Sequence, residues 1–146
     1  MVKQMNVTRA AIGLALIIGL GCLPGASQNP SSQEELAKKV PVIDGGAGPC
    51  SLELHVTTVE GKPSYAVTIK VHISYGFAGT RRLDLQAATN IDGKVKFAGI
   101  PAKVKRPPLQ FQAAKDNLTG TVEYDPASEC QAQHDLVLSP EAPEKK

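Results

Sequence analysis

Cysteine and histidine, three of each, are the residues of this 146-residue chain best suited to chemistry, and their positions limit what that chemistry could be. Cys50 and Cys130 flank the stretch with regular hydrophobic patterning, whereas Cys22 stands apart at the end of an apolar run. In an exported chain an odd count leaves one thiol over, so pairing Cys50 with Cys130 frees Cys22 for another use. Such a bridge would close a loop of about 80 residues and remove on the order of 4.5 kcal/mol of unfolded-state entropy. A thiol nucleophile built from Cys50 and a histidine is the competing chemistry, and in an oxidising compartment a disulfide is the commoner fate. His55, His72 and His134 fall on different expected strands, with His55 and His72 at polar-face positions where a solvated imidazole is the ordinary outcome. Two of them on neighbouring strands could hold zinc, but no carboxylate or cysteine stands at ligand spacing. No nucleophile elbow, phosphate-binding glycine loop or HExxH run is present. The residues therefore predict no catalytic set, no metal and no cofactor.

Cys22 takes its meaning from what precedes it. Lys3 and Arg9 lead into an apolar stretch from Ala10 to Leu23, closed by small residues through Ser27, which is the order of a secretory signal. The stretch is short for a membrane span, which needs about 20 apolar residues. Leu20-Gly21-Cys22 resembles a bacterial lipobox, with Gly19 in the place where leucine usually stands. Lipidation of Cys22 is the expectation, making a membrane the partner and the bacterial cell envelope the location, periplasm-facing or surface-exposed. Cleavage after Ser27, between small residues, gives the alternative of a secreted protein.

The elements that must position these residues follow from periodicity. Residues 1–22 read as the signal, with its helical apolar core, and 23–49 as a flexible linker rich in Gly, Pro, Ser, Gln and Lys. Ser32 and Glu35 could cap a short helix through Lys39 before Pro41 ends it. From 50 to 138 the period is two. Leu52, Leu54 and Val56 alternate with polar residues, and Tyr65 through Tyr75 forms the clearest strand. Gly61-Lys62-Pro63 turns the chain between them, and Asn90-Ile91-Asp92-Gly93 offers a hairpin turn after a strand from Leu83 to Thr89. Val95 with Phe97, Leu109 with Phe111, Leu118 with Val122 and Tyr124, and Leu136 with Leu138 mark the rest. This predicts an all-β domain, a seven-stranded antiparallel β-sandwich of transthyretin-like or Ig-like type, each sheet burying one face. Residues 139–146 read as a solvated tail.

The run Thr89-Asn90-Ile91-Asp92-Gly93-Lys94-Val95-Lys96-Phe97-Ala98-Gly99-Ile100-Pro101 is similar to the signature of carboxypeptidase regulatory-like domains, and Gly61-Lys62-Pro63 resembles that family's first turn. The resemblance implies a sandwich serving as an accessory, stabilising or binding module. The leading expectation is thus a non-enzymatic, lipid-anchored envelope protein that binds or braces another envelope protein or a glycan. The alternative is a freely secreted glycan- or peptide-binding module, and the third reading is a transthyretin-like hydrolase acting through His55 or His72.

Where this sequence departs from that pattern, its loops are basic. Arg81 and Arg82 follow the Gly76–Gly79 loop that carries Phe77, and Lys103, Lys105 and Arg106 precede Pro107-Pro108. Phe77 and these five cations are the candidate binding residues. A net charge of +2, with no aromatic stacking platform, excludes a nucleic-acid partner. The basic patch reads either as a solvated sheet face or as a surface for anionic polymers or lipid headgroups. Oligomeric state is not legible.

Overall fold

The computed structural model describes residues 30–142. A helix α1 (Pro30–Lys38) leads into strands β1 (Val42–Asp44), β2 (Cys50–Thr58) and β3 (Thr68–Tyr75); a single 3-10 turn (Phe77–Gly79) then precedes β4 (Arg81–Ala88), β5 (Lys94–Ile100), β6 (Leu109–Lys115), β7 (Leu118–Tyr124) and β8 (Gln131–Pro140). The protein is all-β apart from those short helical segments, with eight strands hydrogen-bonded in the order β1-β5-β2-β8-β7-β6-β3-β4. The ends of this sheet approach each other, since Gly45 beyond β1 lies against the Leu83 and Leu85 side chains of β4, leaving the sheet nearly closed.

Alternation directs the side chains as expected. Leu52, Leu54 and Val56 on β2, Ile69, Val71 and Ile73 on β3, Val95 and Phe97 on β5, Phe111 on β6, Tyr124 on β7, and Leu136 and Leu138 on β8 form one buried core. Phe97 meets Phe111 edge-on at 5.1 Å between ring centres, and Phe111 meets Tyr124 at 6.2 Å. Burying this much aliphatic and aromatic area, at roughly 25 cal/mol per Å², drives the curling of the sheet.

Several expectations need correcting. Val42–Asp44, within the stretch read as linker, is a strand pairing in parallel with β5, so there are eight strands and not seven. Nor is the sheet wholly antiparallel, because β2 and β8 run parallel from Ser51 opposite Gln131 to Thr58 opposite Leu138. The Cys50–Cys130 disulfide, with Cα atoms 4.5 Å apart, joins the entrances of both strands and is consistent with that direction, while the pairing itself is fixed by the side chains that both strands bury in one core. The strand expected from Tyr65 begins only at Thr68, since Ala66 has a φ of 57° that interrupts extended backbone and leaves Tyr65 exposed. Finally, Asn90–Gly93 does not form a hairpin. It carries the chain from β4, paired only with β3, to β5, which pairs with β1 and β2. Asn90 stabilises this corner: its side-chain oxygen accepts hydrogen bonds from the amides of Asp92 and Lys94, and its Nδ2 donates to the carbonyl of Lys38 at the end of α1.

Strand β8 connects the two halves. Most of it pairs with β2, but Ser139 and Pro140 pair antiparallel with β7, so the strand extends into the stretch read as tail.

Candidate functional site: the outward polar face of β3, β4 and β6

The β3–β4 hairpin is centred on Ala78, so residues equally distant from Ala78 face each other: Lys70 with Gln86, His72 with Asp84, Ser74 with Arg82. On the other side of β3, Lys70 faces Gln112 of β6. Because side chains alternate along a strand, these residues all point away from the core. They line two adjoining clefts. The larger, about 630 Å³, is bounded by Lys70, His72, Asp84, Gln86, Gln110 and Gln112. The smaller, about 420 Å³, is bounded by His72, Ser74, Gly79, Arg82, Lys105 and Arg106. His72 belongs to both.

The His72 Nδ1–H donates to Asp84 Oδ1, which fixes the ring and turns Nε2 outward without a protein partner among the described residues. Both side chains are largely exposed, so the pair contributes little to stability, and its effect is to orient the imidazole. Arg82, Lys105 and Arg106 form no ion pair among the described residues. Three cations are therefore gathered on the smaller cleft, and Asp84, held by His72, is the one carboxylate among the described residues lining either cleft.

The loop bearing Lys105 is fixed in place by backbone contacts. Its amide donates to the Ser74 carbonyl at 2.8 Å, and Val104 bridges to Tyr75. Gly79, with a φ of 67°, lets the Lys105 stem pass, since a Cβ there would lie 2.1 Å from Lys105 Cδ.

The structure thus brings three of the expected binding residues together, Arg82, Lys105 and Arg106, and separates the others slightly. Lys103 joins Lys105 on a neighbouring groove of about 520 Å³ that includes Ala47, Pro49, Ala78 and Pro101. Arg81 lies against Gly76 at the base of the loop. Phe77 stands at its tip, 92% exposed and lining neither cleft. Cys22, expected to be lipidated, lies outside the described residues.

What the sequence reading missed is that every histidine faces a carboxylate. Besides His72, His55 Nδ1 lies 3.2 Å from Asp135 and His134 Nε2 lies 3.0 Å from Glu129. The His72–Asp84 pair was discoverable from the hairpin centre at Ala78, while His55–Asp135 depends on the long-range pairing of β2 with β8. Among the described residues no group of three or more His, Cys, Asp and Glu side chains is placed to hold a metal ion. Near the disulfide, Tyr124 donates its hydroxyl to the Cys130 carbonyl at 2.9 Å. Burial, reinforced by the charges of Glu129 and Asp125, raises its pKa to about 12.

No family model matches this chain, and no curated protein matches it in sequence. Solved structures that resemble it in part include several dioxygenases. They include 3-chlorocatechol 1,2-dioxygenase from Rhodococcus opacus 1CP, at 11% identity and a TM-score of 0.45 over 69% of this chain and 64% of that one. Hydroxyquinol 1,2-dioxygenase from Pseudomonas putida DLL-E4 has 11% identity and a TM-score of 0.45 over 71% and 63%. A catechol 1,2-dioxygenase variant from Acinetobacter radioresistens has 12% identity and a TM-score of 0.46 over 75% and 61%. This chain spans less than two thirds of each of these proteins. No residue role passes across a likeness this low.

Two expectations are corrected by these findings. The similarity of residues 89–101 to carboxypeptidase regulatory-like domains is not sustained, because the resembling structures are dioxygenases and no model of that family matches. A short turn followed by alternating apolar residues is what any strand entered through a tight corner requires, so the motif did not discriminate. The non-enzymatic accessory role rested on that resemblance and is withdrawn with it; the solved structures reported above are named as dioxygenases.

Proposed function

We propose that this domain recognises a small oxyanion, a phosphoryl or carboxylate group, in the cleft formed by His72, Ser74, Arg82, Lys105 and Arg106. The observation that carries the reading is the convergence of Arg82, Lys105 and Arg106, none of them ion-paired among the described residues, beside an imidazole oriented by Asp84. Gathering like charges on one surface is unfavourable, and an anion relieves it; the guanidinium groups supply planar, charge-assisted hydrogen bonds that suit a two-oxygen face. His72 Nε2 and the Ser74 hydroxyl are neutral-capable partners for the remaining oxygen atoms. Carboxylates on the same face are few: Asp84 is engaged by His72, and Glu123 lies one strand beyond Gln110.

The finer description of the curled sheet as two facing layers, β1-β5-β2-β8 against β7-β6-β3-β4, is supported by the edge contact of Phe97 with Phe111 across the core. On that reading the cleft sits on the outside of the second layer. Export from the cytoplasm belongs to the same proposal, supported by the Cys50–Cys130 bridge and by the basic, apolar and small residues that succeed one another through Ser27.

Titration calorimetry with inorganic phosphate at low ionic strength tests the cleft. A hydrogen bond to a charged group contributes about 1.5 to 3 kcal/mol, so Arg82→Gln with Arg106→Gln should weaken binding by at least a hundredfold, and rising salt should weaken the parent protein. Equal affinity in parent and variant would sink the proposal.

A further inference from the structure

We infer that the Phe77 tip and the cations around it form a docking surface for an anionic lipid bilayer, an inference that rests on the anion-binding reading of the adjoining cleft and names the source of the anion. Phe77 is 92% exposed, the highest value among the exposed large hydrophobic residues described. It is held out by the backbone. Gly76 and Ala78 adopt positive φ values of 78° and 53°, and the Thr80 amide and hydroxyl both donate to the Phe77 carbonyl. An aromatic side chain on a braced turn enters an interface without first losing the freedom of a floppy loop.

The surroundings supply the matching charge. Arg81, Arg82, Lys103, Lys105 and Arg106 come from the two segments that meet at the Tyr75–Val104 bridge, and neither 76–83 nor 101–115 contains an acidic residue. Of the carboxylates flanking this region, Asp84 is held by His72, while Asp44 accepts from a neutral backbone amide, that of Gly46. Beneath the tip, the groove lined by Ala47, Pro49, Ala78, Pro101 and Val104 is mainly apolar with lysines at its rim. A protein partner would need a packed central cluster of several large side chains over roughly 800 Å². Here one aromatic projects from a ring of cations, which is the chemistry of an interface where acyl chains lie below phosphate groups.

The chain has no tryptophan, so Phe77→Trp places a single indole at the tip and reports on that point alone, whatever the rest of the full chain touches. With vesicles of mixed phosphatidylserine and phosphatidylcholine, its emission should shift to the blue and be quenched by brominated acyl chains; pure phosphatidylcholine should give neither. Each cation near an anionic membrane changes partitioning by about fivefold, so adding Arg81→Gln and Lys103→Gln should raise the lipid needed for half-maximal shift by roughly 25-fold. An indole that stays in water while the protein sediments with vesicles overturns the inference, as does equal insertion into neutral lipid. A blue shift that grows with protein concentration in the absence of vesicles overturns it in favour of a protein contact. Inorganic phosphate separates the two readings: phosphate binding without insertion defeats only the bilayer, insertion without phosphate binding defeats only the cleft, and neither signal defeats both.

Discussion

Removing the Cys50–Cys130 disulfide is the perturbation whose size follows most directly from the structure. The bridge spans 80 positions of sequence and ties the entrance of β2 to the entrance of β8. In the chain-entropy description a closed loop of that length restricts the unfolded ensemble by on the order of 4.5 kcal/mol. Cys130 is exposed whereas Cys50 is buried in the core, so Cys130→Ala breaks the bond without opening a cavity. The Cys130 carbonyl still accepts from Ser51 and Tyr124, and those hydrogen bonds keep the two strands in register. Urea unfolding followed by far-ultraviolet circular dichroism should then show the midpoint falling by roughly 1.5 to 4.5 M, taking a slope of about 1 to 3 kcal/mol per M. The slope itself should rise, because an unbridged unfolded chain exposes more surface. A midpoint change below about 0.5 M, with the thiols of the parent shown to be oxidised, would refute the view that the bridge acts on the unfolded state.

Other outcomes follow from single side chains. Asn90→Ala removes three hydrogen bonds at a position only 5% exposed, so a loss of about 2 to 4 kcal/mol is expected in thermal unfolding, with faster amide exchange in α1 once Lys38 loses its partner. Gly99→Ala should detach β1 selectively, because Gly99 has a φ of 65° and a Cβ there would meet Asp44 Oδ1 at 2.0 Å; exchange protection confined to β2–β8 with β1 released is the expected pattern, and an unaltered β1 would contradict it. Tyr124, whose pKa is raised from 10.0 to about 12, keeps its proton more firmly folded than unfolded, so stability is full below pH 10 and declines as pH rises towards 12. Tyr124→Phe should lose about 1 kcal/mol at neutral pH and show a shallower decline through that alkaline window in denaturant titrations.

How much was legible beforehand differs by element. The inward residues of β2, β3, β5, β6 and β8 were readable because burial on one face imposes a period of two, and that period survives whatever partner a strand finds. β1 was hidden by its length, Val42–Asp44, and by the Gly-rich segment after it, which reads as tether until Gly45 is seen against Leu83 and Leu85. The candidate site was half visible. Arg82, Lys105 and Arg106 stood out as basic loop residues, but His72 seemed a solvated histidine because its carboxylate partner lies on the next strand. The turn motif at Asn90–Gly93 misled most, since Asp-Gly serves a corner between strands that do not pair as well as a hairpin between strands that do.

Residue order alone determined that the domain would be made of strands, which faces would be buried, and that Cys50 and Cys130 were available to pair, because alternation and covalent chemistry are local properties. Only the tertiary structure decided that β2 and β8 run parallel, that β1 pairs with β5, and that three cations meet a carboxylate-held imidazole on one outward face. Those outcomes depend on which distant strands meet, and that is set by the closing of one shared core, not by any neighbouring residues in the chain.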